Sequence, residues 1–514
     1  MRAESAAEFA LICELVRRTA RAAPERVALI DGERRLSYRE FDRLIDRVAA
    51  ALQRDGVAPR ETIAICAVSS IEYVATFLGA LRAGVVVAPL APSATAKNLA
   101  DMARDCQARL LFLDATTRGV SSEVDARVPR VALDNEAEGA RFRDWLAPVG
   151  AAPTGVAVEP DWVFNTIYSS GTTGAPKGID QSHAMRFGHI RRAREFEYGP
   201  HAVTLVSTPL YSNTTLVSLF PTLAMGGALA LMRKFEARQF LALAQRVRAT
   251  HAMLVPVQYQ RIMALADFDA FDLGSFQMKF STSAPFPAEL KRDVLARWPG
   301  GLIEIYGMTE GGGSCLLAAH RYPDKLHTVG QPAEGHDIRL IDEEGREVGA
   351  GEAGEIVGRS GAMMAGYRGQ PGKTRETEWR DGAGNRFIRT GDVGRFDEDG
   401  FLILIDRRKD MIISGGFNIY PSDIEAALAE RPEVAESAVV GAPSAEWGET
   451  PVAFVALKDG ALLDAEELRA WVNARLGKTQ RLSALRLVDA LPRNAIGKVL
   501  KRELREKVHQ TFAT

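Results

Sequence analysis

The stretch Tyr168-Ser-Ser-Gly-Thr-Thr-Gly-Ala-Pro-Lys-Gly178 is the segment around which the rest of the sequence is organised. Its glycines allow the backbone to bend so that several N–H groups converge on one anion. Four hydroxyl side chains supply further donors: Ser169, Ser170, Thr172 and Thr173. Lys177 adds a positive charge near the end of the loop. This composition suits a polyphosphate site, although glycine-rich segments are more often plain turns or linkers.

The segments on either side of this loop predict a strand and a helix. The apolar run Trp162–Tyr168 predicts a strand, and Ser182–Glu195 predicts a helix. A Walker phosphate loop is excluded, because its lysine follows glycine and precedes serine or threonine. Lys177 instead follows proline and precedes glycine. Phosphate binding therefore needs support from other parts of the chain.

Length and composition indicate a soluble enzyme with several domains. At about 100–200 residues per domain, 514 residues correspond to two to four units. The apolar share of 46% and the net charge of −2 argue for a globular chain and against nucleic acid as a partner. No signal peptide and no transmembrane segment is predicted, so we expect a cytoplasmic protein. The four cysteines are far apart and are expected to be free thiols: Cys13, Cys66, Cys106 and Cys315.

Hydrophobic periodicity predicts an α/β fold with parallel sheets in a large N-terminal domain, residues 1–405. Strands are predicted at 27–30, 62–66, 85–90, 110–113, 202–208, 228–233, 251–255, 277–282 and 301–305. Helices are predicted between them, including 38–52, 71–82, 96–106, 214–225, 236–248, 256–266 and 286–298. Residues 115–160 have no clear pattern and are expected to be irregular.

Short strands and turns predict a β-rich subdomain at about 325–405. The charged segment 406–410 predicts a hinge, and 411–514 a small, mobile α+β domain. Within it, Ser422-Asp-Ile-Glu425 has the pattern of a capping box, and Asp464 begins a second helix.

Three further motifs carry chemical groups. Tyr306-Gly-Met-Thr-Glu310 follows a predicted strand, where a hydroxyl and a carboxylate could hold Mg²⁺ or simply cap a turn. The carboxylate of Asp392, in Arg389-Thr-Gly-Asp392, could accept hydrogen bonds from ribose hydroxyls or from the backbone of a turn. Lys498 lies before the last predicted helix and either neutralises charge on a phosphate or is solvated.

Taken in order, these motifs make the chain resemble the AMP-forming acyl-CoA synthetases of the acyl-adenylate-forming superfamily. That superfamily also includes aryl-CoA ligases, luciferases and the adenylation domains of peptide synthetases. The resemblance covers essentially the whole chain. It implies a ligase that uses ATP, Mg²⁺ and coenzyme A, with a small carboxylic acid as substrate. A homo-oligomer is compatible with the sequence.

The resemblance also implies roles for individual residues. The implied ATP-binding residues are Ser169, Ser170, Gly171, Thr172, Thr173, Gly174, Lys177, Ser283, Ala284, Pro285, Glu304, Ile305, Tyr306, Gly307, Thr309, Asp392, Arg407 and Lys498. Lys498, Thr309 and Glu310 are the implied catalytic residues, with Glu310 on Mg²⁺. Lys409 is implied at the hinge. The coenzyme A tunnel is implied at Gly415, Gly416 and Asn418, and the acid pocket at Tyr211, Ser212, Gly311 and Gly312.

Some positions depart from the family pattern and leave the acid open. Ser212 stands where many relatives have histidine, and Ile413 where many have lysine. The glycines at 311–313 allow a deep or wide pocket, or else a mobile loop. A medium or long fatty acid and a hydroxycinnamate-like acid both fit, whereas a dicarboxylate is disfavoured because 209–217 and 307–316 contain no Arg or Lys.

Other activities remain as alternatives to a coenzyme A ligase. An enzyme that loads an amino acid onto a carrier protein is disfavoured, because 209–217 also lacks the carboxylate that would pair with an ammonium group. A luciferase-like oxygenase is a further alternative. A catalytically inactive binding protein is disfavoured, because the charged residues of every motif are present.

Overall fold

The computed structural model describes residues 9–512 except 135, 170–176, 408–409, 415–416, 445–446, 478–479 and 495–496. The chain divides into two compact units. The first unit contains Met1–Asp337 and Gly358–Ile388, and the second contains Ile338–Val357 and Arg389–Thr514. The boundary expected at 406–410 stays a prediction.

The helices follow the predicted positions closely. They are α1 (Ile12–Ala22), α2 (Tyr38–Arg54), α3 (Ile71–Arg82), α4 (Ala96–Asp105), α5 (Phe142–Trp145), α6 (His183–Arg191), α7 (Asn213–Ala224), α8 (Ala237–Val247), α9 (Pro256–Met263), α10 (Ala288–Arg297), α11 (Pro371–Glu376), α12 (Pro421–Ala429), α13 (Ala465–Asn473) and α14 (Lys501–Phe512). No helix among the described residues is long and apolar enough to cross a membrane.

The strands of the first half of the chain are β1 (Val27–Asp31), β2 (Arg34–Ser37), β3 (Thr62–Cys66), β4 (Val86–Leu90), β5 (Ala108–Leu113), β6 (Arg130–Ala132), β7 (Ala140–Arg141), β8 (Val163–Ser169), β9 (Lys177–Ser182), β10 (Val203–Val206), β11 (Ala228–Leu231), β12 (His251–Leu254) and β13 (Met278–Ser281). The remaining strands are β14 (Gly301–Tyr306), β15 (Cys315–Ala318), β16 (Gln331–Pro332), β17 (Asp337–Ile341), β18 (Gly354–Arg359), β19 (Gly366–Tyr367), β20 (Glu378–Arg380), β21 (Arg386–Phe396), β22 (Leu402–Arg407), β23 (Ile412–Ser414), β24 (Phe417–Ile419), β25 (Val434–Ser444), β26 (Gly448–Leu457) and β27 (Ala484–Leu487).

Two large sheets build the first unit. One has the strand order β19-β9-β8-β4-β3-β5-β6-β7, and the other β16-β15-β14-β13-β12-β10-β11-β1-β2. The central pairs of both sheets are parallel, and antiparallel strands lie at edges. The central strands are buried along their whole length because helices cover them, so they read as continuous apolar runs. The predicted parallel α/β fold is confirmed.

The second unit is a smaller α+β structure, as the predicted fold class requires. Its C-terminal part has a sheet in the order β24-β23-β26-β25, with β27 parallel to β26. Apolar side chains of α12 and α13 pack on one face of this sheet, and those of α14 on the other. Asp464 caps α13 through the N–H groups of Glu466 and Glu467, as predicted.

The predicted capping box at Ser422 is wrong. Helix α12 begins at Pro421, two residues before the start that a Ser422 cap would give, and the proline ring fixes the backbone angle that the first helical position needs. The Ser422 hydroxyl donates instead to the carbonyl of Ile405, and Glu425 accepts from the N–H of Val439. The segment 115–160, expected to be irregular, contains β6, β7 and α5, which are too short for a periodic signal.

Candidate functional site

The glycine-rich loop joins two antiparallel strands. Strands β8 and β9 pair from Val163 with Ser182 to Ser169 with Lys177, so the loop begins and ends at adjacent positions. The predicted strand before the loop and the predicted helix at 182–195 are confirmed by β8 and α6, but strand β9 between the loop and α6 was not predicted. Strand β9 contains glycine, aspartate and glutamine, which are uncommon in strands.

The loop residues themselves fall outside the described part of the chain. They are Ser170, Gly171, Thr172, Thr173 and Gly174, and for Ser169 only the backbone is described. Their predicted phosphate contacts stay predictions.

Buried polar contacts hold the hairpin of β8 and β9 in place. The Tyr168 hydroxyl donates to Asp105 at 2.6 Å, and the Thr166 hydroxyl donates to Asp180 at 2.7 Å. Arg368 donates to Thr166 at 3.1 Å and lies 3.5 Å from Asp180. Burial raises the pKa values of Tyr168 and Asp180. These contacts fix both strands that position the loop.

The ends of two neighbouring parallel strands lie next to the start of α7. Strand β13 ends at Ser281 and pairs with β14, which ends at Tyr306. Ser283, which precedes Ala284 and Pro285, has a φ of +80°, an angle that non-glycine residues rarely adopt. Its hydroxyl lies 2.7 Å from that of Thr214. Residues predicted around the nucleotide therefore meet at carboxyl ends of strands, where ligands of such sheets bind.

One tyrosine connects the lysine of the hairpin with the carboxylate of the strand-end motif. The Tyr367 hydroxyl donates to Glu310 Oε1 at 2.8 Å. The Lys177 Nζ atom lies 5.5 Å from the centroid of the same ring, a distance at which a cation and a π-face attract. Lys177 and Glu310 belong to motifs more than a hundred residues apart, and Tyr367 brings them into one site.

A buried polar network lies behind Thr309. Gln181 donates to the Thr309 carbonyl at 2.7 Å and accepts from Asn165 at 3.0 Å. Arg186 donates to Asn165 at 2.9 Å and also to Gln181. Burial lowers the pKa of Arg186 to about 9, so the guanidinium is protonated at neutral pH. The network fixes the backbone immediately before Glu310.

The Glu304 side chain does not face the predicted nucleotide site, because it pairs with a buried lysine. It is buried and forms an ion pair with Lys291, whose ammonium also donates to the carbonyls of Leu326 and Thr328. Burial raises the pKa of Glu304 to about 7, although Lys291 acts in the opposite direction. Ile305 pairs with Leu316 of β15. Any contact of Glu304 with a nucleotide is therefore left to its backbone.

The structure gives a packing reason for two glycines of the predicted acid pocket. Gly311 and Gly312 have φ angles of +80° and +81°. A Cβ atom on Gly311 would lie 2.0 Å from the Ala362 carbonyl oxygen, and one on Gly312 would lie 2.9 Å from that of Gly358. The space that a side chain would need is already filled by backbone, which explains why glycine stands at both positions; their place in the acid pocket stays a prediction.

The other predicted pocket residues lie at the start of α7. Ser212 is its N-cap residue, but its side chain makes no capping hydrogen bond. Tyr211 is half-buried, and burial raises the pKa of its hydroxyl, which also bonds to Ser93. Asn213 Oδ1 lies 3.5 Å from Gln181 Nε2, which places this end of α7 beside the network behind Thr309.

Residues predicted from the C-terminal motifs belong to the second unit. Asp392 of β21 and Arg407 of β22 are direct cross-strand partners, so the two residues predicted at the ribose are neighbours. Lys498 lies on the turn before α14, where its N–H donates to Asn494 at 2.9 Å. Asn418 belongs to β24. Lys409, Gly415 and Gly416 fall outside the described residues.

The described residues fit a magnesium ion bound mainly through substrate phosphates. Among them, no group of three His, Cys, Asp or Glu side chains could enclose a metal. Glu310 supplies one carboxylate, already oriented by Tyr367. Mg²⁺ commonly keeps several waters and binds through one or two carboxylates plus phosphate oxygens.

Comparison with known proteins assigns the family. The family described as AMP-binding enzyme matches residues 16–368, and its C-terminal domain matches residues 423–498. The chain belongs to the AMP-binding enzyme family. The predicted resemblance to AMP-forming acyl-CoA synthetases, and the enzyme class with it, is confirmed.

Three relatives illustrate the range of this AMP-binding family. A feruloyl-CoA synthase of Amycolatopsis sp is 33% identical over 95% of this chain and 97% of its own. The fatty acid–[acyl-carrier-protein] ligase ScoC of Streptomyces coeruleorubidus is 32% identical over 94% of each chain. ATP-bound MatB of Rhodopseudomonas palustris has 29% identity and a TM-score of 0.86, over 98% of this chain and 100% of that chain.

Sequence reasoning missed four residues that organise the site of this AMP-binding enzyme. They are Asn165, Gln181, Arg186 and Tyr367. None lies in a glycine-rich or charged motif. The sequence does show polar side chains inside apolar segments. Such residues are expected to be buried and hydrogen-bonded, but the sequence does not show with which partners.

Proposed function

We propose that this enzyme joins a carboxylic acid to the thiol of coenzyme A through an acyl-adenylate, releasing pyrophosphate and then AMP. The observation that carries the proposal is Tyr367, whose hydroxyl and ring bring Glu310 and Lys177 together. A cation next to a phosphate loop and an oriented carboxylate are the groups that a triphosphate with Mg²⁺ requires. The similarity to coenzyme A ligases supports the same reaction.

In the first half-reaction the acid carboxylate attacks the α-phosphorus of ATP, and pyrophosphate leaves. The protein contributes positioning and charge stabilisation, since phosphoryl chemistry needs little covalent help. We assign Lys177 and the hydroxyl-rich loop to the β and γ phosphates, and Thr309 to the α-phosphate. Bound at Glu310, Mg²⁺ would neutralise phosphate charge. Ser283 to Pro285 and Tyr306 would line the adenine.

We assign the ribose hydroxyls to Asp392, with Arg407 beside it, and the transferring phosphate to Lys498. The cross-strand pairing of Asp392 with Arg407 supports the first assignment. In the second half-reaction the thiol attacks the acyl carbonyl of the adenylate and AMP leaves. Rotation at Lys409 would withdraw Lys498 and bring Gly415, Gly416 and Asn418 to the thiol.

A carrier-protein thiol is the second candidate acceptor. The similarity to ScoC, a fatty acid–[acyl-carrier-protein] ligase, favours it. A pantetheine thiol attacks the same adenylate in either case, so the first half-reaction is unchanged. Thioester formation with free coenzyme A, compared with formation on a carrier protein, decides between them.

The proposal is tested by Lys498→Ala. Pyrophosphate release on mixing acid with ATP should collapse, because the lysine that we assign to the transferring phosphate is then missing. Thioester formation from supplied acyl-adenylate should largely survive. The matched control is Lys501→Ala, which removes a nearby lysine that pairs with Glu425 at 2.8 Å. Equal loss of both half-reactions in Lys498→Ala would contradict the division of roles.

A further inference from the structure

Four basic side chains gather on one side of α6 and beside it. Arg186 and His189 lie on α6 three residues apart, and Arg192 follows three residues later, directly after the helix ends. Side chains at this spacing lie on one face. His336 belongs to a separate segment and faces the same group: burial, and then the positive charges of Arg186, Arg192 and His336, lower the pKa of His189. We call Arg186, His189, Arg192 and His336 the basic cluster.

The basic cluster contains polar atoms without partners. Among the described residues, Arg186 Nη1, His189 Nδ1 and Arg192 Nε are buried and accept or donate no hydrogen bond. Arg186 is 1% exposed, so water does not replace the missing partner. Buried polar atoms in folded proteins nearly always have partners. Three orphaned nitrogens, spaced three residues apart along α6 and its C-cap, therefore indicate a place prepared for an acceptor.

The charge of the cluster is also uncompensated. In the described chain the one carboxylate within 4 Å is that of Glu195, 3.7 Å from Arg192 Nε and more than half exposed. The Arg186 guanidinium lies 5.9 Å from the ring centroids of both Phe164 and Phe220, and its hydrogen-bond acceptors are amide oxygens. A buried guanidinium without an anion is costly to keep, which favours binding of an anion.

The position of the cluster ties it to the predicted acid pocket. Gln181, which accepts from Arg186, also contacts the Thr309 carbonyl and lies next to Asn213, the residue after Ser212. On the other side, His336 Nδ1 accepts from the N–H of Ser314 at 2.9 Å. Ser314 ends the glycine segment 311–313. The cluster thus borders both ends of the segment that we assign to the acid.

We propose that the basic cluster binds a second carboxylate on the acid substrate, so that the enzyme activates dicarboxylic acids. The proposal rests on the acid-activating function proposed above. Arg186 and Arg192 would give charge-assisted hydrogen bonds to the distal carboxylate, and His189 a neutral one. Burial above all, and then the neighbouring positive charges, lowers the pKa of His189 to about 3, which keeps this imidazole neutral. The absence of Arg and Lys from 209–217 and 307–316 does not argue against this, because the cations come from α6.

The test compares dicarboxylic acids with their monoamides, which keep the shape but lose the second charge. Pyrophosphate release is measured for a series of aliphatic lengths and for one benzene dicarboxylate. The wild-type kcat/KM should favour one dicarboxylate over its monoamide by about tenfold or more. Release from monoamides or monocarboxylates alone would overturn the proposal while preserving acid activation. No release with any acid would overturn both proposals.

Variants separate recognition from structural support. Arg192→Met should remove most of the preference while leaving the monoamide rate within a few-fold. Arg186→Met also breaks the network behind Thr309, so it should slow the reaction of both acids, and that of the dicarboxylate more. Arg191→Met is the matched control, because this neighbouring arginine is exposed, and it should keep the full preference. Equal losses for both acids in both cluster variants would assign the cluster a structural role and overturn the proposal. A thermal shift with the dicarboxylate alone, absent in Arg192→Met, gives a readout independent of turnover.

Discussion

Replacing Tyr367 by phenylalanine tests the central contact of the site. The change removes the hydroxyl that donates to Glu310 at 2.8 Å and keeps the ring near Lys177. A hydrogen bond to a charged group contributes about 1.5–3 kcal/mol, and the lower end applies because Glu310 is only half-buried. Since about 1.4 kcal/mol corresponds to tenfold, we expect pyrophosphate release to slow about tenfold.

A Mg²⁺ titration shows whether the slower rate of Tyr367→Phe comes from weaker Mg²⁺ binding at Glu310. Without its donor, the Glu310 carboxylate can rotate, so the Mg²⁺ concentration for half-maximal rate should rise. Tyr367→Leu also removes the ring, and the loss of its attraction for Lys177 should slow the reaction further, by a factor of a few. Steady-state pyrophosphate release over a Mg²⁺ titration measures both effects.

A matched control separates the site from general stability. The Tyr38 hydroxyl donates to the Gly227 carbonyl at 2.7 Å in the core, away from the motifs. Tyr38→Phe should therefore lower the melting temperature and leave the Mg²⁺ titration unchanged. If Tyr367→Phe kept the wild-type rate and Mg²⁺ midpoint, Tyr367 would not orient Glu310, and the reasoning would be refuted.

Three further outcomes follow from the same geometry. Gly311→Ala brings a methyl group to 2.0 Å from a backbone carbonyl and should abolish adenylation and lower the melting temperature, whereas Gly361→Ala, with open space around it, should do neither. Gln181→Leu removes the donor to the Thr309 carbonyl and should lower kcat about tenfold with little change in the KM for ATP, as measured by steady-state kinetics. Burial lowers the pKa of His251 from 6.5 to about 4, so the unfolded chain binds more protons between these values. The contribution of His251 to stability should then fall by about 3 kcal/mol as the pH drops from 6.5 to 4, and His251→Gln should reduce the pH dependence of thermal melts by that amount.

The fold was largely predictable because its central elements are strongly apolar. The predicted strand 62–66 and helix 71–82 agree with β3 and α3 at every residue, since both are buried along their length. Strand β9 escaped prediction because its pairing with β8, rather than its own composition, determines its conformation. Propensity is a weak guide where tertiary pairing decides.

The site was predictable only where chemistry and chain position coincide. Glu310 and Ser283 follow buried strands, and the carboxyl ends of parallel strands are recognisable places for ligands. Tyr367 carries no such signal, because it reaches the site through the short strand β19 beside β9. Tyr367 and Glu310 share no motif and meet only when β19 pairs with β9. The sequence alone does not reveal which strands pair.

The network behind Thr309 shows what this enzyme gains from buried polar groups. Asn165, Gln181 and Arg186 could be replaced by apolar side chains with little loss, or even a gain, of stability. What these side chains do in the structure is hold the Thr309 carbonyl in place, next to the carboxylate proposed to bind Mg²⁺. Chemistry that relies on positioning needs groups held within fractions of an ångström. Because Arg186 also belongs to the basic cluster, a bound distal carboxylate would act on the same network, and acid recognition would then be connected to the position of the phosphate-binding residues.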